Sequence, residues 1–138
     1  MKIVLFVMLG FTFLVADLHK FENSVVDSTQ QLVWQDNHDV EKKAFLYGKA
    51  KEYCAALILD KQDTWRLPTV YELQSIVDLT QYDPALQRGF HFGLSKNYWS
   101  STLYADDKTR AWFVNFKSGS MEHSRHSYAF YVRCVRDI

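Results

Sequence analysis

Only two cysteines, Cys54 and Cys134, occur in 138 residues, and the 16 basic side chains are balanced by 16 acidic ones. A net charge of zero removes the global pull by which basic domains gather nucleic acid or anionic surfaces. Five glycines and two prolines without a triplet repeat exclude a collagen-like stalk. Heptad runs and low-complexity tracts are also missing. No apolar run reaches the roughly 20 residues that cross a bilayer comfortably. The longest, residues 3–15, is broken by Gly10 and Thr12, and no cysteine follows it as a lipoprotein would require.

That short run does have the form of an export leader. Lys2 supplies a positive n-region, residues 3–15 an apolar h-region, and Ala16 a small residue before Asp17. Residues 1–16 are therefore read as a cleaved signal peptide. Leu14 is a poor residue for the cleavage motif, so the cut position stays open, with a retained membrane anchor as the alternative. Cleavage leaves residues 17–138 as one domain, with no membrane segment and no expected nucleic-acid partner. The location is then extracytoplasmic, whether periplasm, cell surface or medium. Two cysteines in an exported chain are expected to form a disulfide. Closing so long a loop is worth roughly 4 kcal/mol in the chain-entropy model.

The periodicities read as α+β, two helices packed on a small antiparallel sheet. Leu32, Val33 and Trp34 form a short apolar strand before the polar residues 35–39. From 40 to 59 the period becomes helical. Tyr47, Ala50, Cys54, Leu57 and Ile58 fall on one face and Lys42, Lys43, Lys49, Lys51 and Glu52 elsewhere. A second helix starts at Thr69, whose spacing to Glu72 is that of a capping box, and runs to about Leu79. Residues 80–96 read as a long loop. Residues 98–103, 111–116 and 128–135 then alternate with period two and read as a meander. In its last strand Phe130, Val132 and Cys134 share a face, which places the cysteine in the core.

Several ordered blocks resemble the Lcl C-terminal domain family, a branch of C-type-lectin-like domains found at the ends of collagen-like adhesins. They are Leu32-Val-Trp-Gln35, Tyr53-Cys54, Asp63-Thr-Trp-Arg-Leu-Pro-Thr69 with Glu72-Leu73 and Asp78, Tyr98-Trp99-Ser-Ser-Thr102, Ala111-Trp112-x-Val114-x-Phe116, and Val132-Arg-Cys-Val-Arg136. The resemblance covers about residues 30–137. It implies a C-type-lectin-like fold with Cys54–Cys134 as the long-range disulfide. It also implies an adhesive role, which in some members is the binding of sulfated polysaccharides.

Beside the resemblance stands the chemistry of the residues. Trp65, Trp99 and Trp112 read as structural, as do Thr69 and Glu72. Arg66 lies in a run expected to be partly buried and needs a carboxylate or carbonyl, for which Asp78 is the candidate; anion binding is the alternative. The loop and strand motifs of calcium-dependent sugar-binding lectins are missing, and Asp106-Asp107 reads as a solvated turn. His123 and His126 form an HxxH without the further ligands that zinc needs, so no metal or cofactor is expected. No serine has triad spacing. The formylglycine-generating enzymes, loosely similar over residues 65–73, use a reactive cysteine pair, whereas these cysteines look structural. The expectation is a non-catalytic chain. Recognition is left to residues 104–128, where Tyr104, Lys108, Arg110, Lys117, His123, Arg125, His126 and Tyr128 gather aromatic and cationic groups. A glycan or sulfated polymer is the expected partner. An envelope or surface protein is the rival, and a solvated hairpin without a ligand is the third reading.

Overall fold

The computed structural model describes residues 4–8, 11–15 and 17–138, the first two stretches as backbone only. Those two are β1 (Val4–Met8) and β2 (Phe11–Val15), an antiparallel pair. The rest of the expected leader, with its cut after Ala16, lies outside the described residues. None of the described helices is long and apolar enough to cross a membrane.

The class is α+β, but the single expected sheet is replaced by several. A four-stranded antiparallel sheet has the order β11-β5-β4-β3, from β3 (Leu18–Lys20), β4 (Ser24–Asp27), β5 (Leu32–Gln35) and β11 (Val135–Asp137). The last strand thus returns to the first third of the chain, with Val135 opposite Trp34. A three-stranded sheet is formed by β7 (Asn97–Leu103), β8 (Arg110–Asn115) and β9 (Ser120–Arg125). A two-residue pairing joins β6 (Phe45–Leu46) to β10 (Ala129–Phe130).

The helix expected over 40–59 is split into α1 (Asp39–Lys42) and α2 (Tyr47–Ala56), with β6 between them. Tertiary contacts override the local period at the break. The Phe45 carbonyl accepts the Trp99 indole N–H at 2.9 Å, and Phe45 pairs with Phe130. Leu57 leaves the helix extended, and Ile58 on the presumed apolar face is 73% exposed. The helix begun by Thr69, α3 (Val70–Ser75), stops four residues before Leu79, and Val77 pairs instead with Leu86. Its capping box is complete. The Thr69 hydroxyl accepts the Glu72 amide at 3.1 Å and the Glu72 carboxylate accepts the Thr69 amide at 2.8 Å.

The third meander strand is also not where the period placed it. Gly119, at φ +86°, turns the chain straight back from β8. The polar stretch Ser120–Arg125 therefore takes the edge, and the apolar residues after it run through the core instead of forming one strand. A Cβ at Gly119 would meet Val77 Cγ1 at 2.6 Å, so both backbone angle and space demand glycine.

Adjacent strand residues point to opposite faces, and β7–β8 uses both. Trp99, Ala111 and Phe113 face one core, with Tyr47, Trp65 and the Cys54–Cys134 disulfide. Tyr98, Val114 and Phe116 face a second core, with Trp34, Leu73 and Ile76. Both cysteines are fully buried, and their bond ties α2 to the residue before β11 across 80 positions.

Candidate functional site

Hairpin geometry decides which of the predicted side chains meet. On β8–β9, Arg110 lies opposite Arg125, Trp112 opposite His123 and Val114 opposite Met121. All six therefore share one face of the sheet. Near Tyr98 and Val114 that face is covered by α3. Toward Arg110 it is uncovered, and Trp112, Tyr104 and His123 are only half-buried there.

These three rings form a compact platform. Tyr104 and His123 stack at 3.8 Å between centroids and 11° between planes. Trp112 meets His123 edge-on at 5.1 Å and Tyr104 at 5.7 Å. Arg110 fixes the histidine, its Nε donating to His123 Nδ1 at 2.9 Å and an Nη2 to the His123 carbonyl at 3.3 Å. Among the described residues no carboxylate comes within ion-pairing distance of Arg110, Arg125 or Lys108. Asp107 is otherwise engaged: it accepts the Thr109 hydroxyl at 2.6 Å and amide at 3.0 Å, which with the charges of Arg110 and Arg125 lower its pKa. Lys108, Arg125 and His126 line an adjoining depression of about 360 Å³ with Thr109 and Ser127.

The cluster read from sequence is thus divided. Tyr104, Arg110, His123 and Arg125 come together, with Lys108 beside them. His126 borders the Lys108–Arg125 depression but is not part of the ring platform; it stacks on Tyr47 at 4.2 Å, its Nε2 buried without a hydrogen-bond partner among the described residues. Tyr128 is exposed over Phe130. Lys117 is at the far end of the hairpin, 6.0 Å from the Tyr82 ring centroid and beyond the Asn115–Ser120 pair, which is itself five residue steps, or ~17 Å, from the Arg110–Arg125 pair. The two histidines of the HxxH have different neighbours, His123 stacking on Tyr104 and His126 on Tyr47, and among the described residues no three His, Cys, Asp or Glu side chains converge. Trp112, read as structural, packs against the second core and also contributes a half-buried ring to the platform. The signal for that second role was present, since Trp112 is the outermost of three alternating apolar residues.

Arg66 does not pair with Asp78. It forms a bidentate pair with Glu72 at 2.7 and 2.8 Å and bonds Asp137 at 3.0 Å, which raises its pKa. Burial pushes the Glu72 carboxyl up, but the Arg66 and Thr69 hydrogen bonds outweigh it and the pKa ends lowered. Asp78 instead accepts the Thr80 hydroxyl and amide at 2.6 and 2.9 Å.

A second charged group holds the loop that leads into β7. Asp36, fully buried, pairs with Lys20 at 2.9 Å and Arg133 at 3.2 Å and accepts the amides of His91 and Phe92 at 2.9 and 3.0 Å. Burial pushes its carboxyl up, and these partners more than reverse that, leaving the pKa below the ordinary 3.8. Arg133 also donates to the carbonyls of Gln35 and Phe92, and Glu41 captures the Gly93 amide at 2.8 Å.

Among protein-family profiles, that of the Lcl C-terminal domain matches residues 23–136. A comparison with curated proteins finds no match. The profile spans both cores, the disulfide and the aromatic platform, so the chain belongs to the Lcl C-terminal domain family, which is not a known enzyme family.

Proposed function

We propose that this protein is an extracytoplasmic, non-catalytic adhesion module of C-type-lectin-like fold that binds a glycan or sulfated polysaccharide without calcium. The observation that carries the reading is the Tyr104–His123–Trp112 platform, flanked by Arg110 and Arg125 on the uncovered half of the sheet face. Sugar rings bury their C–H faces on aromatic surfaces, where the ring's polar edge stays free for hydrogen bonds. Cations without carboxylate partners attract sulfate or carboxylate groups beside such a platform, and guanidinium matches their geometry in bidentate fashion. The Lys108–Arg125 depression extends the cationic surface along the hairpin end. Disulfide-closed cores fit a domain that works outside the cytoplasm.

An array of neutral, acidic and sulfated glycans, read with and without EDTA, tests the proposal. Selective binding to sulfated or acidic chains that EDTA leaves unchanged is the expected result. Loss of binding in EDTA would contradict the calcium-free reading, and a blank array would contradict glycan recognition.

The rival reading, an envelope or surface protein partner, has its own observation. A groove of about 570 Å³ between α2 and the β6–β10 pair is lined by Phe45, Leu46, Tyr53 and Ala129, with Leu46 half-exposed, and by the charged side chains Lys43, Lys49 and Glu52. Binding on the apolar residues of that groove would be less sensitive to salt than binding at the Arg110–Arg125 face, where the contacts are charged.

A further inference from the structure

The four-stranded sheet has its own half-covered face. Val26 of β4, Val33 of β5 and Arg136 of β11 are successive rungs across it. The disulfide core covers this face beyond Val33, and a depression of about 380 Å³ is left over Val26 and Arg136. That volume lies within the roughly 300–1,000 Å³ of small-molecule sites. Phe21, 57% exposed, forms one wall, and Glu22 and Asp60 stand in the lining.

Arg136 is the unusual group here. Its guanidinium is held over the Trp65 ring, 5.5 Å from the centroid. Among the described residues its Nε is buried with no hydrogen-bond partner, and its one side-chain donation is from Nη1 to the Asp137 carbonyl at 3.3 Å. The Asp137 carboxylate next to it is taken by Arg66 at 3.0 Å. Among the described residues no carboxylate pairs with Arg136. The Arg136 Nη2 makes no hydrogen bond among the described residues and is not buried, so the guanidinium can meet an acceptor from outside the chain where it borders the depression. Its neighbours also state what else that ligand carries. Apolar Val26, Val33 and Phe21 suit a hydrocarbon body, and Glu22 and Asp60 repel a pure anion but attract an ammonium.

We propose that this depression binds a small zwitterion of the amino-acid class, with its carboxylate on Arg136, its ammonium toward Glu22 and Asp60, and its apolar side chain against Phe21. The site is separate from the hairpin face and does not depend on its role.

Three probes that differ by one charged group test it: phenylalanine, 3-phenylpropanoate, which lacks the ammonium, and phenethylamine, which lacks the carboxylate. The readout on the purified protein is the NMR resonance of the Arg136 Nε–H together with the amides of Val26 and Val33. Saturable shifts with phenylalanine at millimolar concentrations are expected, with weaker shifts for both 3-phenylpropanoate and phenethylamine, each of which lacks one of the two charges. Absence of shifts with phenylalanine, or equal shifts with phenethylamine, would overturn the proposal. Arg136→Gln should weaken phenylalanine binding roughly tenfold or more. Phe21→Ala, at an exposed position that leaves the cores intact, should weaken it as well. Unchanged affinity in the Phe21 variant would also overturn the assignment.

Discussion

Asp36 has no exposed surface, yet it holds a negative charge against Lys20 and Arg133 and two backbone amides. Removing one partner from a buried ion pair costs about 3–5 kcal/mol, because the other charge stays buried without compensation. Asp36→Asn should therefore lower stability by that order, measured by urea or thermal unfolding. The pH dependence has a definite sign. A carboxylate whose folded pKa lies below the unfolded value adds stability that is fully present above the unfolded value, here near 3.8, and is lost as pH falls through the folded one. Glu72 acts in the same direction. Asp27 opposes them, since burial raises its pKa and its charged form weakens the fold at neutral pH. In the wild type, acid unfolding should steepen below pH ~4, and Asp36→Asn should flatten that limb. An Asn variant as stable and as acid-sensitive as the wild type would refute this role. At this scale the sequence was partly legible. The disulfide followed from the cysteine count and the expected leader, and the capping box from spacing. Arg66 and Arg133 were not, because their partners are fixed by tertiary packing, for Arg133 97 residues away in the chain.

Elements were legible where local period and local energetics agree. The start of α3, β5, β7 and β8 lie close to where alternation and capping placed them. Failures arose where distant pairing overrode the local signal. Phe45 and Leu46 leave a helical period to pair with Ala129 and Phe130, and β9 is a polar edge strand that has no apolar alternation to detect. The turn that creates β9 depends on one residue. Gly119→Ala would place a Cβ against Val77 and Leu79 at a φ that L-residues rarely adopt. The expected loss is about 1–3 kcal/mol of stability, read as a lower urea midpoint at unchanged slope. If the midpoint does not move, the β8–β9 turn is more adaptable than its geometry implies. Since this turn sets the β8–β9 register, the variant should also weaken glycan binding wherever it perturbs the Trp112–His123 pair.

For the whole molecule, the arrangement of the two cores explains why the Arg110 end of the sheet face stays uncovered. The β7–β8 strands are packed on both sides over most of their length, which makes the sheet rigid, and α3 is too short to cover the Arg110 end. Rigid support beneath half-exposed rings is what a preorganised recognition surface needs, because little side-chain freedom is left to lose on binding. Linear sequence placed Lys117 among the basic residues of one patch, and folding separates it from them by the length of the hairpin. That separation permits a decisive comparison. Arg125→Glu and Lys117→Glu make the same change in net charge, so any effect of overall charge is common to both. The measurement is the affinity of each variant for a sulfated polysaccharide at two salt concentrations, beside the wild type. The account predicts that Arg125→Glu abolishes binding and its salt dependence, while Lys117→Glu keeps both close to the wild type. Equal losses in the two variants, or full binding by Arg125→Glu, would contradict recognition at the aromatic face.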